Sequence, residues 1–500
     1  MSEGQTNNSK QATWVAIGSF FSFIVGIVSP MILSRYFDKG DYGTYKQVMY
    51  VYNTLLSVFT LGLPKAYAYF LPKYSREYSK DIIAKVTKIF FVLGAVFSLF
   101  LFFCAGPIAN VMKNPDLRVA LMVFSPTPLL LLPTMGLDAI YATFKRTKYL
   151  TYYTIATRVL TIICIILPVL CFQGNYIHAI IGFDVASLIT CVLALYLKTW
   201  PIKDEPHEKV DLSLKRIFDF AIPLLYASLW GMIIASANQF FISRYYGNEV
   251  FAEFSNGFME IPFVGMITGA IGAILLPVFS GMDKGKGMSN ETVSLWNSAL
   301  IKSAKLIFPI LVYSIFFAKQ LMTCMYGDAY SQSTIYFQIK NFSGLFFIIP
   351  FYPIILAIGK TKEYARVHMI VAFVIVIAEY IVCKLFDSAV YIAVISECCQ
   401  LLKIILLMKV IADYSSKKIF ELLPPGRLGR VLLVAVSSAI IPFLLVTFVE
   451  MNKFIALGVS FILYVVCYYL VCWISQTTYK DVVAGFVRND KFNNFLRFIP

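Results

Sequence analysis

The stretch VTKIFFVLGAVFSLFLFFCAGPI, residues 86–108, carries one charged side chain in 23 residues. A helix of about 20 apolar residues is long enough to cross the hydrocarbon core of a bilayer. About fourteen stretches of this kind fill the chain almost from end to end. We predict membrane-spanning helices at residues 11–34, 44–71, 86–108, 119–144, 152–173, 177–199, 216–243, 251–279, 298–318, 332–358, 366–386, 389–410, 429–449 and 453–475. The chain is therefore predicted to be an all-α integral membrane protein.

The composition supports a membrane environment. Of the 500 residues, 59% are hydrophobic and 14% are charged. A soluble domain of this size could not bury so much apolar surface, whereas hydrocarbon accepts it. The polar start MSEGQTNNSK is followed by an apolar run that is too long for a signal peptide. We therefore expect the first helix to be retained.

Several classes of chemistry are not expected. The ten cysteines form no CxxC pair and no cluster with the three histidines, so neither a disulfide framework nor a zinc site is predicted. No Walker loop, GxSxG or HExxH motif occurs, and we expect neither a cofactor nor an enzymatic activity. The net charge of +15 is spread over many short loops instead of one domain, which argues against nucleic acid as a partner.

The basic residues also predict an orientation. Lysine and arginine are concentrated in loops after even-numbered predicted helices, such as Lys73, Arg76 and Lys80, and are sparse in the other loops. By the positive-inside rule the basic loops face the cytoplasm. We therefore predict a multi-pass membrane protein with both termini in the cytoplasm.

A weak repeat predicts the domain organisation. Residues 32–45, ILSRYFDKGDYGTY, share the triplet Ser-Arg-Tyr and aligned aromatic residues with residues 241–254, FISRYYGNEVFAEF. Six helices separate the two segments, so the halves insert the same way up and a pseudo-two-fold axis runs along the membrane normal. The predicted units are an N-terminal lobe at 1–199, a cytoplasmic linker at 200–215, a C-terminal lobe at 216–410, two appended helices at 429–475 and a cytoplasmic tail at 476–500.

Charged residues inside the predicted helices mark a candidate site. An ionisable group at membrane depth is costly and usually faces a cavity or a partner. A cationic cavity between two six-helix lobes would attract an anion such as a phosphate or diphosphate. For Lys305, Arg35, Arg244 and Lys46, an equally good interpretation is that the side chain snorkels to the membrane interface. The predicted cavity cations are Lys65, Arg158, Lys305, Lys340, Arg35, Arg244 and Lys46.

Buried acids are candidates for ion or proton coupling. They are Glu260, Asp184, Glu379, Glu397 and Asp138. Asp138 and Arg158 lie at similar depth in the hairpin of helices 4 and 5, which slightly favours a structural ion pair over a functional role. Glu379 and Glu397 are level across the hairpin of helices 11 and 12. Two adjacent carboxylates there would suit a proton site, and the alternative is that they face different directions.

Three segments resemble a known family. They are ATWVAIGSFFSFIVGIVSPMILSRYFDKGDYGTYKQVM at 12–49, LGLPKAYAYFLPKY at 61–74 and MYGDAYSQS at 325–333. Together with the helix count they resemble Wzx-type polysaccharide or O-antigen flippases, in the multidrug/oligosaccharidyl-lipid/polysaccharide exporter superfamily. The resemblance implies two six-helix lobes, a cationic lumen and alternating access. No lumen residue of that family is matched to this chain, so the predicted site rests on the depth of the charges.

The resemblance implies a function and its partners. The expected activity moves undecaprenyl-diphosphate-linked oligosaccharide to the periplasmic leaflet, for O-antigen, capsule or exopolysaccharide. The implied partners are that lipid-linked glycan, the bilayer, and the glycan polymerase and glycosyltransferases of the same pathway.

Two alternatives remain open. The first is a related exporter, either a lipid II flippase or a cation-coupled drug exporter; the basic bias argues against a drug exporter. The second is a membrane glycan polymerase or ligase, which usually carries a sizeable periplasmic loop. The predicted outer loops of this chain are short, which argues against such an enzyme.

Overall fold

The structure, a computed structural model, describes residues 3–280, 288–349 and 351–479. These residues form α-helices and short 3₁₀ turns and contain no β-strand. The predicted all-α class is therefore confirmed. Packing divides the chain into two compact units, Met1–Ala252 and Glu253–Pro500. Most of the predicted tail, residues 480–500, lies outside the described residues.

The first unit is built on long helices joined by short breaks. Within this unit α1 packs on α8, and α8 packs on α9. The helices are α1 Glu3–Tyr36, α2 Lys39–Phe59, α3 Pro64–Phe70, α4 Ser79–Met112, α5 Asp116–Phe124, α6 Thr127–Leu131, α7 Leu137–Thr143, α8 Thr147–Cys171, α9 Tyr176–Thr199 and α10 Leu214–Gly257, whose last turn enters the second unit. The 3₁₀ turns are Leu71–Lys73, Arg76–Tyr78, Leu132–Thr134 and Trp200–Ile202.

The second unit contains the remaining helices. Helix α16 packs on α17, and the two helices predicted as appended, α19 and α20, pack on each other and against α12. The helices are α11 Pro262–Ser280, α12 Asn290–Phe316, α13 Ala318–Tyr326, α14 Ser333–Gly344, α15 Phe351–Ala357, α16 Thr361–Leu385, α17 Val390–Ser415, α18 Ile419–Leu422, α19 Pro425–Phe448 and α20 Lys453–Ile474, with a 3₁₀ turn at Asp328–Tyr330.

Helix length and composition make this a multi-pass membrane protein. In the part of the chain that the structure describes, eleven helical segments are long and apolar enough to cross a bilayer. The bent pair Leu214–Tyr226 and Ser228–Gly257 raises the number to twelve. The predicted spans 251–279 and 332–358 are helical but interrupted, the second between α14 and α15. The predicted total of fourteen counted these broken segments as whole spans.

The breaks occur where the backbone leaves the helical region. Between α2 and α3, Leu61 and Gly62 have φ of 50° and 72°. Before α7, Gly136 has φ of 80°, and a Cβ at this position would lie 2.1 Å from the ring of Tyr67. Only glycine adopts this conformation without strain and leaves room for the buried ring. The non-helical backbone at these positions is available to line a cavity.

A break in α10 supports the sequence repeat. The repeat aligns Asp38, which precedes α2, with Gly247, which lies inside α10. Asp38 has ψ of 168°, and Gly247 has ψ of 174° with φ of 87°. Both positions interrupt the helix two residues after the last residue of the shared Ser-Arg-Tyr triplet. The two-fold axis inferred from the repeat stays a prediction.

The predicted linker 200–215 is held against the start of α4. Lys85 Nζ donates to the Val210 carbonyl at 2.7 Å, and the Val210 amide donates to Asp81 at 2.9 Å. Lys85 and Asp81 also form an ion pair at 3.0 Å. The segment is therefore anchored, and the boundary between the compact units lies after Ala252. The lobe boundaries predicted from the repeat and the helix count stay a prediction.

Candidate functional site

The first unit contains a cavity of about 440 Å³, which we call the Arg158 cavity. It lies where the start of α3 and the break before α7 face α8 and α9. Its lining is rich in hydroxyl groups and includes Tyr52, Pro64, Leu131, Thr134, Met135, Gly136, Leu137, Asp138, Leu150, Tyr153, Thr154, Thr157, Arg158, Thr161, Phe183, Ser187 and Thr190. A hydroxyl-rich wall with a guanidinium suits a polar, anionic ligand.

The two charged residues of this cavity are not paired. Arg158 and Asp138 both line it and are both exposed, as their similar predicted depth suggested. Among the described residues, however, no ion pair involves either side chain. The expected structural ion pair is therefore wrong. Depth along two helices does not determine the direction in which each side chain points.

Lys65 lies beside this cavity but not in its wall. It follows Pro64 in the first turn of α3, and Pro64 lines the cavity. The Lys65 side chain is exposed. The structure therefore brings Arg158 and Asp138 together and leaves Lys65 outside their cavity.

The second unit contains a smaller cavity of about 220 Å³, the Lys340 cavity. It is formed by the non-helical segment between α10 and α11 and by the break after α14. Its lining is Glu260, Ile261, Val264, Gly265, Thr268, Leu311, Lys340, Asn341, Ser343, Gly344, Phe347 and Ile349. Each unit thus places its charged cavity beside two interrupted helices, the second and fourth of each predicted six-helix repeat.

The charge of Lys340 is compensated. Its Nζ lies 3.0 Å from Glu397 Oε1 and 3.2 Å from Glu260 Oε1. The Lys340 and Glu397 side chains are 12% and 6% exposed, whereas Glu260 is 78% exposed. Ser343 donates to the other oxygen of Glu397. Glu260 and Glu397, which were predicted to be coupling acids, therefore pair with Lys340, which was predicted to bind the substrate. The sequence did not predict this pairing.

The two level carboxylates of helices 11 and 12 have different surroundings. Glu397 is engaged by Lys340 and Ser343. Glu379 is 0% exposed, no ion pair involves it within the described part of the chain, and the Ser396 side chain is its hydrogen-bonding neighbour. An isolated ionised carboxylate is costly to bury. The Glu379 carboxyl group is therefore buried without a charged partner among the described residues, whereas Glu397 is paired with Lys340.

A second small cavity, of about 310 Å³, adjoins the Lys340 cavity and shares Phe347 with it. Lys403 and His368 line it, and neither residue was predicted to be functional. Lys403 Nζ donates to Gln400 and lies 5.7 Å from the centre of the Phe347 ring. A cation inside the predicted span 389–410 was the signal that could have identified it.

Lys305 does not share a cavity with Lys340. It is buried at a third cavity, where its Nζ donates to the Thr478 carbonyl at 2.7 Å. The Tyr479 hydroxyl donates back to the Lys305 carbonyl at 2.9 Å. Within the second unit, the two predicted cavity cations therefore belong to different sites.

The three predicted outer cations have separate environments. Arg244 donates to the Val111 carbonyl in the last turn of α4, where a cation complements the helix dipole. Lys46 is half-buried, with Nζ 5.5 Å from the centre of the Tyr42 ring, and Arg35 is exposed at the end of α1. None of the three lines the Arg158 cavity.

Two further residues of the first unit tie helices together. Asp184 on α9 accepts a hydrogen bond from Thr127 on α6, which is a helix-to-helix contact. Lys198, near the end of the predicted span 177–199, is 1% exposed, and its Nζ donates to the Tyr67 hydroxyl at 2.9 Å. The Tyr67 ring is buried, so it is not accessible for stacking against a sugar.

Comparisons with known proteins agree with this architecture. A family model described as "Polysaccharide biosynthesis protein" matches residues 9–283. No curated protein matches the sequence.

Solved structures share the fold. A structure described as "Lipid II flippase MurJ, inward closed conformation" has a TM-score of 0.72 at 15% identity, covering 94% of this chain and 99% of that chain. An inward-facing multidrug resistance MATE family transporter of the MOP superfamily has a TM-score of 0.61 at 12% identity, covering 81% and 99%. A MOP superfamily transporter from Pyrococcus furiosus, described as having a binding pocket of reverse polarity, has a TM-score of 0.55 at 13% identity, covering 82% and 96%.

Proposed function

This chain belongs to the family of polysaccharide biosynthesis proteins, and we propose that it is a flippase for a lipid-linked oligosaccharide. Its membrane helices and its fold are those of flippases and exporters of the MOP superfamily. The proposed substrate is an undecaprenyl-diphosphate-linked oligosaccharide for O-antigen, capsule or exopolysaccharide. It would move from the cytoplasmic to the periplasmic leaflet of a bacterial inner membrane, in a protein with both termini in the cytoplasm.

The Arg158 cavity carries this proposal. Its guanidinium has no carboxylate partner among the described residues, so its full charge is available to a ligand. Guanidinium groups bind phosphate oxygens through paired hydrogen bonds. Eight serine, threonine and tyrosine side chains line the same cavity and offer hydrogen bonds to sugar hydroxyls: Tyr52, Thr134, Tyr153, Thr154, Thr157, Thr161, Ser187 and Thr190. The polyprenyl tail would stay in lipid.

The Lys340 network suits a different task. It joins Glu260, in the non-helical segment after α10, to α14 and α17 through two ion pairs. Broken helices at membrane depth give a transporter places to bend. We assign this network to a latch that is closed in the present conformation and opens during alternating access. Glu260, the exposed member, is the partner that would leave first.

Translocation in liposomes tests the proposal. The purified chain would be reconstituted with a fluorescent polyprenyl-diphosphate-linked oligosaccharide, and exposure of the label to a membrane-impermeant quencher would be followed. We expect wild-type protein to speed exposure over empty liposomes, and Arg158→Glu to abolish the gain while the protein stays folded. Wild-type liposomes that behave like empty ones would overturn the proposal.

A lipid II flippase is the second candidate. The structural match to MurJ over 94% of this chain favours it, and lipid II likewise presents a diphosphate to a cation. The same liposomes distinguish the two, because labelled lipid II replaces the oligosaccharide lipid in a parallel sample. Faster exposure of lipid II would identify the substrate as the peptidoglycan precursor.

A further inference from the structure

The cavity lined by Lys305, which we call the Lys305 cavity, is the largest of those described, at about 900 Å³. It is formed by the start of α12, the start of α19 and the residues that follow α20. Its lining is Asn290, Val293, Ser294, Asn297, Ser298, Ile301, Lys305, Pro424, Arg427, Arg430, Val431, Gln476, Thr477 and Thr478. The proposed function does not use this cavity.

The charge of this cavity has one sign. Three cations, Lys305, Arg427 and Arg430, line it, and no described lining residue is a carboxylate. Arg427 and Arg430 are three residues apart on α19, so they project from the same side of that helix. Neither arginine takes part in an ion pair within the described residues. The first turn of α19, whose dipole also favours anions, forms part of the wall.

The walls are fixed by hydrogen bonds that leave the cavity open. Trp296 Nε1 donates to the Leu422 carbonyl at 2.8 Å, which holds the segment before α19 on α12. The reciprocal contacts of Lys305 with Thr478 and Tyr479 hold the segment after α20. The lining side chain Asn297 has a buried Oδ1 without a hydrogen-bond partner in the described chain. The cavity therefore has walls that hydrogen bonds hold in place and a polar atom that can accept a hydrogen bond from a ligand.

The position of the cavity indicates the source of its ligand. The start of α12, the start of α19 and the end of α20 were each predicted to lie on the cytoplasmic side, from loop charge alone. Basic pockets between helices on that side are suited to anionic lipid headgroups. We propose that the Lys305 cavity binds the phosphate group of an anionic phospholipid from the cytoplasmic leaflet, separately from the transported substrate.

Lipid retention measured by native mass spectrometry tests this site. Full-length protein would be released from nanodiscs that contain phosphatidylglycerol and phosphatidylcholine, and the bound lipids would be counted. We expect selective retention of phosphatidylglycerol by wild type, and a loss of about tenfold or more in R427Q/R430Q, since each basic residue near an anionic surface contributes a factor of about five. Phosphatidylglycerol retention equal to wild type in this variant would overturn the proposal.

A matched control removes two cations elsewhere. Lys362 and Arg366 are exposed at the start of α16, also on the predicted cytoplasmic side, and neither lines the Lys305 cavity. The variant K362Q/R366Q should retain phosphatidylglycerol as wild type does. An equal loss in this control would show a general surface attraction and would contradict a specific site.

A third experiment tests whether the cavity binds the phosphate of a lipid or free inorganic phosphate. Thermal unfolding of the same three proteins would be followed in detergent with inorganic phosphate alone, and separately with added phosphatidylglycerol. We expect stabilisation by the lipid, reduced in R427Q/R430Q, and none by millimolar phosphate. Stabilisation by phosphate alone, lost in the variant while lipid has no effect, would overturn the assignment to a lipid.

Discussion

The Arg158 cavity and the Lys340 cavity each bring a cation and acidic side chains together, but the charges form ion pairs only in the Lys340 cavity. In the first, Arg158 and Asp138 share a wall without pairing. In the second, Lys340 contacts two carboxylates at 3.0 Å and 3.2 Å. A cation that is bonded to two acids has little net charge to offer a phosphate. On this comparison we propose that the first cavity binds the ligand and that the second serves as a structural latch.

The largest expected effect follows from removing the buried partner of Lys340. Glu397→Gln leaves the Lys340 ammonium, whose side chain is 12% exposed, without its buried counter-charge. Breaking a buried ion pair in this way costs about 3–5 kcal/mol. We expect the free energy of unfolding in detergent to fall by this amount, as measured by denaturant titration. Recovery of most of that loss in the double variant K340M/E397L would confirm the cause, and a loss below about 1 kcal/mol in E397Q would contradict it.

The break that forms the Arg158 cavity gives the next effect. Gly136→Ala forces a Cβ to within 2.1 Å of the Tyr67 ring at a φ of 80°. The left-handed conformation alone costs about 1–2 kcal/mol, and the overlap adds to it. We expect a fall of at least about 2 kcal/mol in the free energy of unfolding.

A glycine in an open helical position provides the control for that substitution. Gly458 lies on α20, and a Cβ there would meet nothing within 4 Å. Gly458→Ala should stabilise the protein by up to about 1 kcal/mol, because alanine favours the helix. Equal destabilisation by both substitutions would show that the break does not depend on glycine.

Removing the acid of the Arg158 cavity should strengthen anion binding. Asp138 lies in the same wall as Arg158, and its carboxylate repels a diphosphate. At an exposed position such a repulsion amounts to about 1 kcal/mol, which is roughly a fivefold change in affinity. We expect Asp138→Asn to bind farnesyl diphosphate, a short polyprenyl diphosphate, about fivefold more tightly by isothermal titration calorimetry. Weaker binding would show that Asp138 positions Arg158 instead of opposing the ligand.

The smallest effect is expected at the exposed partner of Lys340. Glu260 is 78% exposed, so its ion pair is screened by solvent. Glu260→Gln should change the free energy of unfolding by less than about 1 kcal/mol. A loss comparable to that of E397Q, measured in the same titration, would mean that both acids hold the latch equally.

The sequence predicts the helices well because apolar length is a local property. The spans 147–171 and 176–202 lie close to predicted spans, since each is a continuous apolar run. The interruptions at Gly62 and Gly136 depend instead on backbone conformation and on neighbours such as Tyr67, which are distant in the chain. Apolar composition continues through such a break and does not reveal it.

The candidate site was predictable only in part. Depth counting placed Arg158 and Asp138 at the same level because they flank a single hairpin, and both line one cavity, although the ion pair expected between them does not form. It did not identify the contact between Lys340 on α14 and Glu397 on α17, because α15 and α16 lie between them in the chain. A periodic pattern gives the depth of a charge but not its partner. For the same reason the sequence did not identify Lys198, which is buried near the end of the predicted span 177–199.

The central claim is that Arg158 binds the anionic headgroup whereas Lys340 serves as a latch. Equilibrium binding of farnesyl diphosphate to R158Q and to K340M/E397L, compared with wild type, tests it most directly. We predict that R158Q binds about tenfold more weakly, since a charge-assisted hydrogen bond contributes about 1.5–3 kcal/mol, and that K340M/E397L binds within twofold of wild type. Weakened binding in K340M/E397L together with wild-type binding in R158Q would contradict the account.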